Sequence, residues 1–221
     1  MKILDSKILV TGANRGIGLA LVEKLLEKGA AKVYATYRSE NNRSMLDEFG
    51  ERVIPVHPDL GDYATIEQLS QSVLSLNILI NNAGILSALS LLQETEEQLR
   101  NDIETNFFGT LAVTKAMLPA LKKESSAAIV NVASIASLAA MPSLGGYSAS
   151  KAAVHSMTQS IRGELKANSI SVHGVSPGPV ATRMTEGYDM ELTPAAVVAE
   201  NILEGIDNGI DEIFTATIAQ P

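Results

Sequence analysis

The chain has 221 residues, of which 46% are hydrophobic and 19% charged, and its formal net charge is −8. This length and balance suit one globular domain with a substantial core, and the acidic charge argues against a broad nucleic-acid-binding surface, which would need a basic patch. There is no cysteine for a disulfide framework or a thiolate metal site, and the three histidines are scattered, so we expect no metal.

The N-terminus runs directly into a strand pattern and lacks the apolar segment and cleavage site of a secretory signal. No uninterrupted apolar run reaches the roughly 18 residues of a membrane span. We therefore expect a soluble, cytoplasmic protein with no membrane partner, in which residues 1–221 form a single domain.

The first motif follows a short apolar run, residues 7–11, which is typical of a strand buried on both faces. The run leads into Gly12-Ala13-Asn14-Arg15-Gly16-Ile17-Gly18, and residues 19–28 then show helical spacing. A strand, a glycine turn and a helix together favour dinucleotide binding, because glycines let the backbone approach a pyrophosphate and the helix N-terminus attracts the anion. The spacing differs from the commoner Gly-x-Gly-x-x-Gly, and a plain tight connection is the alternative.

The second predicted strand, residues 32–36, ends without the acidic residue that would bind a ribose 2′-hydroxyl in an NAD-selective fold. It continues into Tyr37 and Arg38 instead. Arg38 and Arg15 could pair with a 2′-phosphate, since two guanidiniums suit a phosphate dianion better than a diol. This favours NADP(H) over NAD(H); the alternative is that both arginines are ordinary surface residues.

Polar residues and glycine also follow the next two predicted strands. Residues 52–56 form the third strand, and Pro55 indicates an edge position because a missing ladder donor is tolerated there. Asp59 lies just past its carboxyl end. Residues 77–81 form the fourth strand, and the turn Asn82-Ala83-Gly84 follows it.

Further helices are predicted over residues 62–76, 96–121, 147–167 and 194–207, and further strands over 127–132, 171–175 and 210–215. The long pattern over 96–121 contains Asn106 and Gly109, which are unfavourable in a helix interior. They indicate a kink or a functional demand, with a small-residue packing site as an equal alternative. The strand over 127–132 brings Ser134 to its carboxyl end.

Tyr147 and Lys151 are four residues apart, so they share one face of the predicted helix. A phenol has a pKa of about 10, and a neighbouring ammonium lowers it. Two charges about 4 Å apart interact by roughly 4 kcal/mol near a protein surface, which could make Tyr147 a general acid/base. An ordinary exposed Tyr–Lys pair is the alternative.

The alternation of strands and helices predicts an α/β fold: a Rossmann-type doubly wound parallel sheet of about seven strands with helices on both faces. Right-handed crossovers then place all carboxyl ends of the strands at one edge. The glycine turn, Asp59, residues 81–84, Ser134 and residues 177–182 all fall at this edge. We therefore expect one shared site there.

With its motifs in this order, the chain resembles the short-chain dehydrogenase/reductase family from about residue 6 to residue 214. The matching motifs are Thr11-Gly12-x-x-x-Gly16-Ile17-Gly18, Asp59-Leu60, Asn81-Asn82-Ala83-Gly84, Asn106-x-x-Gly109, Ser134, Tyr147-x-x-x-Lys151 and Pro177-Gly178. The resemblance also extends to the interval between Ser134 and Tyr147.

The resemblance implies a role for each matching residue. Tyr147 would protonate the carbonyl oxygen in reduction, and Lys151 would lower the pKa of Tyr147 and hold the nicotinamide ribose. Ser134 would hydrogen-bond the substrate oxygen, and Asn106 would hold a water in a proton relay. Cofactor contacts are implied for Gly12, Asn14, Arg15, Gly16, Ile17, Gly18, Arg38, Asp59, Leu60, Asn82, Ala83, Gly84, Pro177, Gly178, Val180 and Thr182, in addition to Tyr147 and Lys151.

The function expected from this resemblance is that of an NADP(H)-dependent carbonyl reductase or alcohol dehydrogenase, acting on a small molecule as a homodimer or homotetramer. A regulatory NADP(H)-binding protein and an epimerase or dehydratase on the same scaffold are the alternatives. The chain departs from the family at Asn77, where an aspartate is usual, and we expect a modest effect on stability. Only residues 183–192 remain for the substrate lid, so we expect an open pocket with broad, weak recognition.

Overall fold

A seven-stranded sheet forms the centre of the computed structural model, which describes residues 2–39 and 43–215. Its strands are β1 (Lys7–Val10), β2 (Lys32–Thr36), β3 (Val53–Val56), β4 (Ile78–Asn81), β5 (Ala127–Val132), β6 (Ile170–Ser176) and β9 (Glu212–Phe214); two short strands, β7 (Val180–Ala181) and β8 (Thr193–Pro194), pair separately. All neighbours in the main sheet are parallel, in the order β3-β2-β1-β4-β5-β6-β9. The order reverses between β1 and β4, where open α/β sheets bind ligands.

Helices cover both faces of this sheet. They are α1 (Gly16–Glu27), α2 (Ser44–Asp47), α3 (Tyr63–Ser72), α4 (Glu96–Ile103), α5 (Thr110–Leu121), α6 (Gly145–Glu164) and α7 (Ala195–Asp207). Ile8 and Val10 pack in one core with α1 and α7, whereas Leu9 packs in a second core with α3 and α5. Successive side chains of a strand point to opposite faces, so a run that is apolar throughout suits a strand buried on both.

The doubly wound parallel sheet predicted from the sequence is confirmed. Pro55 lies on β3, which is an edge strand, opposite Ala35 of β2. Asp62 caps α3 by accepting a hydrogen bond from the Ala64 N–H at 2.9 Å. The helix ends at Ser72 rather than at residue 76, and the last strand is confined to Glu212–Phe214.

The long helical pattern over residues 96–121 is interrupted, as its Asn and Gly indicated. Residues 104–109 form a π-helical turn between α4 and α5. A side chain at Gly109 would lie 3.1 Å from Leu60 Cβ, so glycine lets this turn approach the segment that follows β3. The wider turn changes the direction in which Asn106 faces relative to a continuous α-helix.

Candidate active site

The glycine turn after β1 forms a cradle that has no room for side chains at Gly12 and Gly18. Gly12 has a φ of 63°, in the left-handed region that favours glycine, and a Cβ there would lie 3.0 Å from Ala83 Cα. A Cβ on Gly18 would overlap the carbonyl oxygen of Gly12. This close packing requires glycine at both positions and brings the backbone of the turn against the segment after β4.

The N-terminus of α1, which begins at the end of this cradle, is open to an anion. Its cap residue, Arg15, makes no side-chain capping hydrogen bond, and the first turn contains no acidic residue. The first N–H groups of a helix have no acceptor within the helix, and the helix dipole favours a negative charge beside them. The residues present therefore fit the pyrophosphate of a dinucleotide.

Thr11 and Asn82 join the ends of β1 and β4. The Thr11 hydroxyl accepts hydrogen bonds from the N–H groups of Asn82 and Ala83, both at 2.9 Å. Asn82 Nδ2 donates to the carbonyl oxygens of Thr11 at 2.9 Å and Gly12 at 3.2 Å. These bonds fix the glycine cradle and the turn Asn82–Gly84 as one unit at the point where the strand order reverses.

Lys151, Asn106 and Gly84 meet on the other side of this turn. A Cβ on Gly84 would lie 3.0 Å from Asn106 Oδ1 and 3.2 Å from Lys151 Nζ. Asn106 exchanges two hydrogen bonds with the backbone of Ile85, at 2.8 and 3.0 Å, and donates to Ser150 Oγ at 2.8 Å. Its side-chain hydrogens are thus used within the protein to hold the segment after β4 against α6.

Lys151 is 5% exposed and donates to the carbonyl oxygen of Val132 at 2.8 Å. Burial lowers its pKa to about 8 because a desolvated ammonium is disfavoured, while the Asp102 carboxylate opposes this shift. Its Nζ lies 5.8 Å from the centroid of the Tyr147 ring, so the two side chains share a face of α6 as predicted.

The expected lowering of the Tyr147 pKa is wrong. The partly buried phenol has a raised pKa, chiefly because burial disfavours the phenolate. A hydrogen bond with Ser134 opposes the shift, and Asp102 and Tyr188 add to it. The Lys151 ammonium lies over the ring and donates to the Val132 carbonyl oxygen, and it does not lower the Tyr147 pKa below its ordinary value.

Ser134 begins the turn after β5, and its hydroxyl accepts from the Ala136 N–H at 3.1 Å. The next N–H, of Ile135, donates to the carbonyl oxygen of Pro177 at 3.0 Å. The segment from Pro177 through Gly178 to the buried Val180 then leads to Thr182. A Cβ on Gly16 would lie 3.1 Å from Thr182 Cγ2, so this segment closes back onto the glycine cradle.

The residues expected around the adenosine end are more exposed. Arg15, Arg38 and Asp59 are exposed, whereas Asn14 is buried and Leu60 partly buried. Asp59 Oδ1 accepts from the Gly61 N–H at 2.9 Å and shapes its own turn. Ile17 packs against the core beneath the cradle.

Tyr37 and His57 form a stacked pair beside Arg38. Tyr37 is 4% exposed, and its ring centroid lies 4.9 Å from that of His57 with an interplanar angle of 15°. The His57 ring nitrogen Nε2 hydrogen-bonds the Arg38 carbonyl oxygen at 2.8 Å. The position at which an NAD-selective fold carries an acid thus holds a buried aromatic ring.

Two acidic residues near the site were missed at the sequence level. Asp102 of α4 has no exposed surface and receives two hydrogen bonds from Ser87, from its hydroxyl at 3.0 Å and its N–H at 3.3 Å. Glu94 accepts from the Gly146 N–H, at the start of α6, at 2.8 Å. Nothing in the local spacing separates them from exposed acids, because both are fixed by partners distant in sequence.

The doubly wound sheet and its glycine cradle define a Rossmann-type dinucleotide fold. A family model described as short chain dehydrogenase matches residues 6–192. An uncharacterized oxidoreductase of Staphylococcus epidermidis is 33% identical over 192 residues, covering 85% of this chain and 84% of the relative. One of Staphylococcus aureus is 33% identical over 195 residues, covering 86% and 84%. The chain therefore belongs to the short-chain dehydrogenase/reductase family and is an oxidoreductase.

Solved structures agree with this family. A short chain dehydrogenase from Burkholderia cenocepacia in complex with NADP has a TM-score of 0.93 and 37% identity, covering 100% of this chain and 92% of that one. A short chain dehydrogenase/reductase from Burkholderia phymatum in complex with NAD shares the fold with a TM-score of 0.89 at 24% identity, covering 97% and 90%. Within residues 2–39 and 43–215, no helix is long and apolar enough to cross a membrane.

Proposed function

We propose that this protein is an NADP(H)-dependent oxidoreductase that interconverts a small aldehyde or ketone and an alcohol, with Tyr147 as the general acid/base. The observation that carries the proposal is the meeting of Ser134, Tyr147 and Lys151 beside the turn that joins the glycine cradle to β4. When bound, the nicotinamide supplies or accepts the hydride, and the protein supplies position and a proton.

In reduction, the Tyr147 hydroxyl donates its proton to the substrate oxygen. Its raised pKa suits this role, because the site then starts with a neutral phenol. Ser134 shares a hydrogen bond with that phenol and would therefore hydrogen-bond the same substrate oxygen. Lys151 holds a cation beneath the ring, which stabilises the phenolate left after the transfer. Asn106 bonds both Ile85, in the segment after β4, and Ser150 of α6, and so fixes that segment against the helix that carries Lys151.

The cofactor preference rests on two exposed arginines. Arg15 lies in the glycine turn, and Arg38 follows the buried Tyr37 after β2. Guanidiniums favour a 2′-phosphate, and an aromatic ring offers no carboxylate to a 2′-hydroxyl. The NADP complex of the Burkholderia cenocepacia relative supports the same preference. The remaining cofactor contacts are those expected from the family along the cradle, the turn 82–84 and residues 177–182.

The lid and the assembly complete the proposal. Residues 183–192 are mostly exposed, so few fixed contacts would select a substrate and recognition would be broad. Leu92, before α4, is 98% exposed and Phe108, in the turn after α4, is 41% exposed; a second copy in a homodimer or homotetramer would cover such apolar side chains. A monomer by light scattering would remove the oligomer, and cell fractionation tests the cytoplasmic location.

The decisive experiment measures NADPH oxidation, by loss of the reduced-nicotinamide absorbance, with a panel of aldehydes, ketones and quinones. Tyr147→Phe should lose about 10²- to 10⁴-fold in rate, while Tyr63→Phe, which changes an exposed tyrosine of α3, should retain it. NADPH binding without turnover of any carbonyl would instead favour the regulatory binding protein. A much higher specificity constant for one bulky substrate would contradict the open pocket.

A further inference from the structure

Asp102 is a fully buried acidic residue on α4. It has no exposed surface, although it lies in a helix whose other charged residues are exposed: Glu96, Glu97, Arg100 and, in the following turn, Glu104. A buried carboxylate is costly unless it is paired and hydrogen-bonded. Within the part of the chain that the structure describes, the Asp102 carboxylate is hydrogen-bonded by Ser87.

The segment after β4 connects Asp102 to the proposed catalytic pair. Along this segment, a Cβ on Gly84 would lie 3.0 Å from Asn106 Oδ1 and 3.2 Å from Lys151 Nζ. Ile85 is bonded twice to Asn106, and Ser87 is bonded twice to Asp102. Asp102 on α4 and Asn106 on the turn that continues it are both hydrogen-bonded to this segment. The α6 groups that act electrostatically with Asp102 are Lys151 and Tyr147.

The charge of Asp102 has the same consequence for both of these groups. It opposes the loss of the Lys151 proton and the loss of the Tyr147 proton, because a nearby negative charge favours the ammonium and disfavours the phenolate. The other groups acting on Tyr147 are Ser134 and Tyr188. Lys151 also donates to the neutral carbonyl of Val132.

We propose that Asp102 is a positioning residue that retains the proton on the Tyr147–Lys151 pair and sets the pH at which the pair changes from proton donor to proton acceptor. The effect of Asp102 on the reaction rate rests on the proposed function, whereas its effect on the charge of Lys151 does not. Burial raises the pKa of Asp102, while the two hydrogen bonds from Ser87 and the charge of Lys151 oppose that shift and favour the carboxylate. Asp102 acts through this charge and takes no part in the proton transfer.

The kinetic test compares Asp102→Asn, which removes the charge, with Ser87→Ala, which removes one hydrogen bond to the carboxylate and so raises the Asp102 pKa further. In Asp102→Asn the alkaline limb of kcat/KM for reduction and the acid limb for oxidation should both move to lower pH. A single-proton limb changes the rate about tenfold per pH unit, so a half-unit movement gives about threefold. Ser87→Ala should displace the same limbs in the same direction but by less, because the carboxyl group remains and only one of its hydrogen bonds is lost. Coincident limbs in Asp102→Asn and wild type would overturn the proposal.

A second measurement needs neither substrate nor cofactor. Because the Lys151 pKa is lowered to about 8, the unfolded chain binds more protons than the folded one above this pH, and the free energy of unfolding rises with pH up to the ordinary lysine pKa. In Asp102→Asn this rise should begin at lower pH, and in a Lys151→Met background the two Asp102 forms should show no difference in that window. If the free energy of unfolding of Asp102→Asn rises over the same pH range as that of wild type, the proposal is overturned even if carbonyl reduction is confirmed. If that pH range moves and no carbonyl is turned over, the role of Asp102 stands and the proposed function fails.

Discussion

Glu94 Oε2 accepts a hydrogen bond from the backbone N–H of Gly146 at 2.8 Å, directly before Tyr147. The preceding N–H, of Gly145, donates to the Leu89 carbonyl oxygen at 3.1 Å, and a Cβ on Gly145 would lie 2.6 Å from the Leu91 nitrogen. Residues 89–94 are therefore docked on the first turn of α6. The orientation of that turn, and with it of Tyr147, depends on a carboxylate from a different part of the chain.

Replacing Glu94 should weaken both the fold and the chemistry. Glu94→Ala removes the acceptor for Gly146 and a negative charge from a helix N-terminus, which should cost about 0.5–2 kcal/mol of unfolding free energy. It should also lower kcat more than it changes KM for NADPH, because Tyr147 moves and the cradle does not. Glu94→Gln keeps an acceptor and should recover part of the loss. Glu67→Ala, on the exposed face of α3, is the matched control and should stay within about 0.5 kcal/mol of wild type; equal behaviour of the two alanine variants would contradict this role.

Gly84→Ala should impair activity through Lys151. The added methyl would lie 3.2 Å from Lys151 Nζ and 3.0 Å from Asn106 Oδ1, closer than most methyl contacts, so both groups must move. We expect a fall in kcat of about tenfold or more, since small misplacements of catalytic groups are costly. Gly163→Ala, in α6 with nothing within 4 Å of the new methyl, should instead raise stability by about 0.5–1 kcal/mol. Full activity in Gly84→Ala would refute the close packing inferred here.

His173 should make the protein less stable in mild acid. It is 1% exposed, and Nδ1 donates to the Ile210 carbonyl oxygen at 2.7 Å, while Nε2 bonds Ser171 Oγ at 2.9 Å. Burial lowers its pKa, so the unfolded chain binds the proton more readily and stability falls as pH drops below the ordinary value of about 6.5.

The measurement is the free energy of unfolding on either side of that value, for wild type and His173→Asn. The variant keeps a donor near the Nδ1 position and should lose part of the acid-dependent decline. His57→Asn, which changes an exposed histidine, serves as the comparison. Parallel pH curves for wild type and His173→Asn would show that another group causes the decline.

Arg38→Asp should change the cofactor preference. An aspartate there offers an acceptor to a 2′-hydroxyl and repels a 2′-phosphate, so NADPH binding should weaken and NADH binding improve. The readout is the ratio of dissociation constants from cofactor fluorescence, with the remote exposed Lys166→Asp as a control for the same change in net charge. Unchanged NADPH affinity in Arg38→Asp would remove Arg38 from the proposed phosphate site.

The sheet could be predicted because each strand is a short apolar run and each turn at its carboxyl end contains small or polar residues. The topology then placed the glycine turn, Ser134 and residues 177–182 at one edge without knowledge of any contact. The structure links these regions through Gly12 and Ala83, and through Gly16 and Thr182. Local patterns of apolar strands and small or polar turns were therefore sufficient to predict the sheet and the edge at which the site lies.

Asp102 and the pKa of Tyr147 could not be predicted in the same way. Asp102 lies in a strongly charged stretch, and it is buried only because Ser87 and the segment after β4 lie against it. The spacing of Tyr147 and Lys151 predicts the attraction between phenolate and ammonium, but the desolvation of the phenol is the larger effect on the Tyr147 pKa. Both errors concern burial, which depends on contacts between distant segments.

The π-helical turn at residues 104–109 makes the length of this stretch a constraint in itself. Each residue added to or removed from a helix rotates everything beyond it by about 100°. Loss of Ile103, with the π-helical turn and α5 kept in place, would rotate the preceding residues of α4 by about 100° around the helix axis. Asp102 would then face away from Ser87, and the segment after β4 would lose its anchor. This stretch should accept new residue types far more readily than a change in the number of residues, as a screen of single substitutions against single deletions would reveal.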